Sequence, residues 1–154
     1  MGNGAAEDLL RQAIQANGEE VVLRELRKLC AMPSSKENVL TIIANEGVHH
    51  LPEEFVRGEV YTAHEGSFDF SSPNLTHSQI RDVLIRLAEK LKSKPYHRIY
   101  LVPFGHSVPA MQIKLLVYRI CHIETTDVFY IGAGRYFDYQ ENLRDLVLNA
   151  SPET

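Results

Sequence analysis

The sequence predicts an α/β fold: a Rossmann-like, mostly parallel sheet flanked by helices and preceded by an N-terminal helical pair. Two observations carry this expectation. Three short apolar runs rich in β-branched and aromatic residues, at 39–44, 99–102 and 128–131, have the length and continuity of strands buried on both faces. Segments with helical periodicity follow the runs, and this alternation of strand and helix is the rhythm of parallel crossovers. The expected division is a helical pair over 1–35 and a Rossmann-like α/β domain over 36–150.

Residues 5–17 place Leu10, Ala13 and Ile14 on one side of a helix, and Asn17-Gly18 supplies its stop. Residues 19–32 then carry Val22, Leu26, Leu29 and Cys30 as a single stripe, with Glu19 and Glu20 in the first turn, where negative charge suits the dipole. Pro33-Ser34-Ser35 ends it. Helices with one apolar stripe need a covering surface, either their own sheet or a second subunit, and a homodimer is one arrangement that supplies it.

After the run at 39–44, Asn45-Glu46-Gly47 closes the first strand. Within 48–72, VRGEVYTAH is expected to hold a strand near its middle and EGSFDFSSPN to form a loop. The next helix opens on a capping box of Thr76 and Gln79, with Leu75 and Ile80 at staple positions. Its inward face is Ile80, Val83, Leu84, Leu87, Ala88 and Leu91. The second strand follows Lys92-Ser93-Lys94-Pro95. A helix over 109–121 then places Ile113, Leu116, Val117 and Ile120 inward, and Met111, Leu115 and Tyr118 widen that face, so it is expected to be covered on most sides. After the third strand, Asp138 and Glu141 form a capping box for a last helix with Leu143, Leu146 and Val147 inward.

Apolar residues make up 44% of the 154 and charged residues 23%, an ordinary soluble composition of a size suited to a substantial core. The net charge of −4 argues against a nucleic-acid groove, which normally shows a basic face. The apolar runs are far shorter than a membrane span of about 20 residues. No basic start leads into an apolar segment, and Ala6 stands where a myristoylation signal wants Ser or Thr. The expected location is therefore cytoplasmic, without a nucleic-acid or membrane partner. Cys30 and Cys121 read as buried free thiols, and the lack of any Cys-x-x-Cys argues against a thiol-rich zinc site. His49 and His50 are adjacent and would point apart. No His-x-x-x-His spacing occurs, so His64 and His122 read as surface histidines and no metal is expected. The sequence names no cofactor.

In open parallel sheets, ligands gather beyond the carboxyl ends of the strands. Each of the three strands is followed by glycine and polar groups: Asn45-Glu46-Gly47, Gly105-His106-Ser107 and Gly132-Ala133-Gly134-Arg135. Parallel strands would open all three loops on one edge. At Gly105-His106-Ser107 the helix is expected to begin at Val108 or Pro109, which makes Ser107 its N-cap. The exposed N–H groups, the hydroxyl and the imidazole suit a phosphate or carboxylate. A hydrolase nucleophile elbow would need glycine where Pro109 stands. Gly132-Ala133-Gly134 lacks the third glycine of a dinucleotide fingerprint, because position 137 is Phe137, and no Gly-Lys-Ser/Thr is present. Arg135 with Tyr136 and Tyr139 suits an anionic, ring-bearing ligand.

The expected function is a binding module holding an anionic, phosphate-bearing, nucleotide-like small molecule. Its ligand-binding residues are Glu46, Gly105, His106, Ser107, Gly132, Gly134, Arg135 and Tyr136. Two alternatives stay open: a hydrolase or group-transfer enzyme using His106 with Ser107, Glu46 or Asp69, and a structural or interaction protein with no small-molecule site. In architecture alone, the unit over 38–149 resembles the CARF- and SAVED-type nucleotide sensors of bacterial defence systems. That resemblance implies a nucleotide at the loop edge and carries no residue across.

Overall fold

The computed structural model describes residues 3–31, 38–47 and 49–150, and the chain divides into two units, Met1–Ser34 and Ser35–Thr154. The first unit holds α1 (Asn3–Asn17) and α2 (Glu19–Ala31). They break at Gly18, whose φ of +84° is the left-handed conformation that ends helices. Ala13, Ile14 and Val22 are half-buried there. The expected burial of Leu29 and Cys30 concerns side chains outside the described residues, as does the stop at Pro33-Ser34-Ser35.

The second unit is a mixed α/β fold. Its elements are β1 (Val39–Ile43), a 3-10 turn (Glu53–Phe55), β2 (Glu59–Thr62), α3 (Pro73–Lys92), β3 (Arg98–Val102), α4 (Ser107–Cys121), β4 (Thr126–Gly132), β5 (Arg135–Tyr139) and α5 (Leu143–Asn149). The sheet order is β2-β1-β3-β4-β5. The first four strands are parallel, and β5 runs antiparallel to β4.

The two-residue period of the strands divides the core. Leu40, Ile42, Ile99 and Leu101 pack against Val83 and Leu87 of α3 and Ala110, Ile113 and Val117 of α4. On the other face, Ile43, Tyr100, Val102 and Val128 are covered by Leu51 and Phe55 from the segment between β1 and β2. That cover is an irregular strap with one 3-10 turn. It is pinned by a buried threonine: Thr41 Oγ1 donates to Arg57 O (2.6 Å) and accepts from Arg57 N–H (3.0 Å). The Arg57 guanidinium lies 4.3 Å from the Tyr100 ring and pairs with Asp138 at 2.8 Å. Gly58 then lets the strap enter β2, since its φ is +66° and a Cβ would stand 2.2 Å from Val39 O.

Several expectations are corrected. Ser72, not Thr76, caps α3: its Oγ accepts from Leu75 N–H at 3.2 Å, and Pro73 follows at the first helical position, where its missing N–H is harmless. Thr76 and Gln79 lie one turn inside, where Gln79 accepts from Asp69 N–H (3.0 Å) and donates to Asp69 O (2.8 Å). Asp138 and Glu141 form no capping box, because Asp138 belongs to β5; Asn142 caps α5, accepting from Asp145 N–H at 3.2 Å. Met111, Leu115 and Tyr118 of α4 are about half exposed rather than covered. The stripe of Ala110, Ile113 and Val117 already meets the sheet, and the short α5 leaves the far side open. Cys121 is a half-buried free thiol whose pKa burial pushes up. No helix among the described residues is long and apolar enough to cross a membrane.

Candidate functional site

Because β1, β3 and β4 are parallel, their carboxyl ends share one edge of the sheet. β2 lies on one side of β1 and β3 on the other, and the connection after β1 covers one face while α4, after β3, covers the opposite face. Connections that part in this way leave a crevice between the strand ends, the switch point at which such sheets hold ligands.

That crevice is a cleft of about 350 Å³. Asn45, Gly47 and His49 line it from the segment after β1, Gly66, Ser67 and Phe68 from the segment after β2, and Phe104, Gly105 and His106 from the segment after β3. Its base is rigid because the β1–β2 pairing continues past the strands: Glu46 N–H donates to His64 O (2.9 Å) and Gly66 N–H to Glu46 O (3.0 Å). On the other side, Ala44 N–H donates to Val102 O at 3.0 Å. Gly105 permits the two loops to touch. Its φ is +85°, and a Cβ there would stand 2.9 Å from Asn45 Cβ and 3.0 Å from Asn45 Nδ2.

Rings form part of the wall. The buried Phe68 stacks on His64 with centroids 3.9 Å apart. His49 lies 5.6 Å from Phe104 and stacks on Tyr130 at 6.4 Å. Phe70 meets His106 edge-on at 4.5 Å. Two buried polar atoms, Asn45 Oδ1 and His64 Nε2, have no hydrogen-bond partner among the described residues. Such atoms cost about 1–3 kcal/mol each; Asn45 belongs to the cleft lining, whereas His64 does not.

The start of α4 differs from expectation. His106 occupies the N-cap position with no side-chain cap bond, and Ser107 is the first helical residue rather than the cap. Pro109 is tolerated in that first turn because its missing N–H would have had no acceptor. The N–H groups of Ser107 and Val108, in the first turn, have no acceptor within the helix.

The residues expected to bind are only partly brought together. Gly105 and His106 line the cleft, and Ser107 is next to them on α4. Glu46 lies between two lining residues but turns aside, its Oε2 accepting from Thr62 Oγ1 at 3.0 Å. Gly132, Gly134, Arg135 and Tyr136 sit in the β4–β5 hairpin, not in a strand-to-helix loop. Ala133 and Gly134 both have positive φ, as a type I′ turn requires, and this returns the chain as a strand. Tyr136 joins a ring cluster with Tyr130, Phe55 and Phe104 and so backs the cleft wall, while Arg135 is exposed at the turn. Asp69 is a turn residue: Ser71 donates to its carboxylate (2.8 Å from the N–H), and these bonds hold it below the usual carboxylate range.

Of the other lining residues, Asn45 and Gly47 belong to a loop the sequence already placed at this edge, whereas His49, Gly66, Ser67, Phe68 and Phe104 were not expected there. Asn45 and Gly47 flank Glu46, and Phe104 precedes Gly105, so their adjacency was a usable signal. Gly66-Ser67-Phe68 had none, since its place depends on the pairing of Glu46 with Glu65 beyond the end of β2.

A larger hollow of about 580 Å³ lies between α4 and α5, walled by Met111, Leu115, Tyr118, Leu143 and Val147. Glu124, Arg144 and Lys114 also line it, the last engaged by Asp127 at 2.5 Å, and its surface is otherwise apolar. Among the described residues, no three His, Cys, Asp or Glu side chains are placed to share a metal ion. Comparison with known proteins finds no matching family model, no matching curated protein and no matching solved structure.

Proposed function

We propose that the protein is a Rossmann-like binding module that holds an anionic, phosphate-bearing, nucleotide-like small molecule in the cleft between β1 and β3. The observation that supports this reading is the convergence of Asn45, Gly105 and His106 on one concavity at the switch point, with the start of α4 next to it in the chain. Free N–H groups at a helix start favour negative charge, and the dipole adds to them. Binding is favoured over hydrolysis by the hydrogen bonds: Glu46 is held by Thr62, Asp69 by Ser71, and no bond joins Ser107 to His106 among the described residues.

Thermal-shift and calorimetric titration with nucleotides, sugar phosphates and pyrophosphate tests this. A ligand at a hundred times its Kd should stabilise the fold by about 2.7 kcal/mol. Ser107→Pro deletes one donor while keeping a residue suited to the first helical position, and it should weaken phosphate binding without loss of helix. No shift with any phosphate compound would overturn the reading.

A further inference from the structure

Resting on that reading, we infer that the cleft recognises the ring of its ligand, a nucleobase-like heterocycle, and that the phosphate stays outside it. Of the nine lining residues, four carry rings: His49, Phe68, Phe104 and His106. Tyr130 and Phe70 extend this surface outward by stacking on His49 and meeting His106 edge-on. Phe68 is buried and stacked on His64, so the exposed His49 and His106 are the rings best placed to meet a planar ligand.

Among the described residues, the same lining contains no Lys, Arg, Asp or Glu. Sealing a phosphate dianion into such a space leaves its charge without a fixed cation, and burying an unpaired charge is far costlier than burying a neutral ring. Stacking of a base on an aromatic side chain is worth about 1–3 kcal/mol and needs no counter-charge. The cleft also supplies what a ring edge asks for. Asn45 brings an amide whose oxygen lacks a partner, and Gly47, Gly66 and Gly105 leave backbone unshielded by side chains. A turn of the Asn45 amide toward the cleft would let that oxygen accept an N–H from a heterocycle. The volume of about 350 Å³ lies at the lower end of the range for small-molecule sites, suited to a nucleoside. Charge-complementary groups lie outside the lining, at the start of α4 and at Arg135 on the hairpin turn.

Calorimetric titration with the common nucleosides, their 5′-monophosphates, ribose 5-phosphate and pyrophosphate tests the inference. At least one nucleoside should bind within tenfold of its monophosphate, and ribose 5-phosphate should bind at least a hundredfold more weakly than that nucleotide. His49→Ala, at an exposed position where folding is spared, should weaken nucleoside and nucleotide by the same factor. His106→Ala, also exposed, serves as the second variant and should do the same. Ribose 5-phosphate or pyrophosphate binding as tightly as the nucleotide would overturn the ring-first inference and leave the anion reading standing. Nucleosides and phosphates all failing to bind would overturn both. Unchanged nucleoside affinity in both histidine variants would overturn the placement of the ring.

Discussion

Gly105→Ala measures how closely the two halves of the cleft are fitted. At φ +85° an alanine pays the left-handed penalty of about 1–2 kcal/mol. Its Cβ would also fall 2.9 Å from Asn45 Cβ, closer than carbon atoms tolerate, so the Asn45 loop must yield, at about 1 kcal/mol more. The stiffer unfolded chain returns about 0.5 kcal/mol, which leaves a net loss of about 2 kcal/mol. With a denaturant slope of about 2 kcal/mol/M in urea, the midpoint should fall by about 1 M, followed by circular dichroism because the chain has no tryptophan. Gly47→Ala is the control within the same cleft. A Cβ there meets nothing within 4 Å and the φ is not left-handed, so its midpoint should move by less than about 0.3 M. A Gly105→Ala midpoint equal to wild type would refute both the backbone conformation and the contact with Asn45.

Glu59 makes stability depend on acid. Lys90 first and Lys94 second hold its carboxyl down to about 2, with Tyr96 donating to it at 3.0 Å. Because the folded value lies below the unfolded value of about 4.5, this stabilisation is present above pH 4.5 and fades as pH falls toward 2. A third of the side chain is exposed and solvent screens the pairs, so Glu59→Gln should cost about 1 kcal/mol at pH 7. Urea titrations should show the gap to wild type closing by pH 2, and a gap independent of pH would exclude the ion pairs as its cause. Ala133→Gly should raise the urea midpoint by relieving about 1 kcal/mol at φ +51°. A lower midpoint would count against the turn.

The central strands were legible because burial on both faces demands continuous apolar runs, as at Leu40-Thr41-Ile42-Ile43 and Ile99-Tyr100-Leu101-Val102. The α3 and α4 stripes were legible for the complementary reason, since each helix needs only one apolar side against the sheet. β5 was hidden. Arg135-Tyr136-Phe137-Asp138-Tyr139 has no apolar run, being an edge strand with mostly exposed residues, and the turn before it depends on the sign of φ at Ala133, which an alanine does not announce. Helix starts misled where two cap residues competed, as Ser72 and Thr76 did. Half of the cleft was readable as the groups after β1 and β3. The other half, Gly66-Ser67-Phe68, comes from a register that only long-range pairing sets.

The β4–β5 hairpin has a consequence for assembly. Its partners are near neighbours along the chain, whereas every parallel pairing of the sheet must first close a loop through the strap, α3 or α4. Closing a short loop forfeits less chain freedom than closing a long one. Tyr130 and Tyr136, which prop the outer wall, therefore belong to the segment cheapest to organise, while the floor at Asn45 and Gly105 waits for the most distant strands to meet.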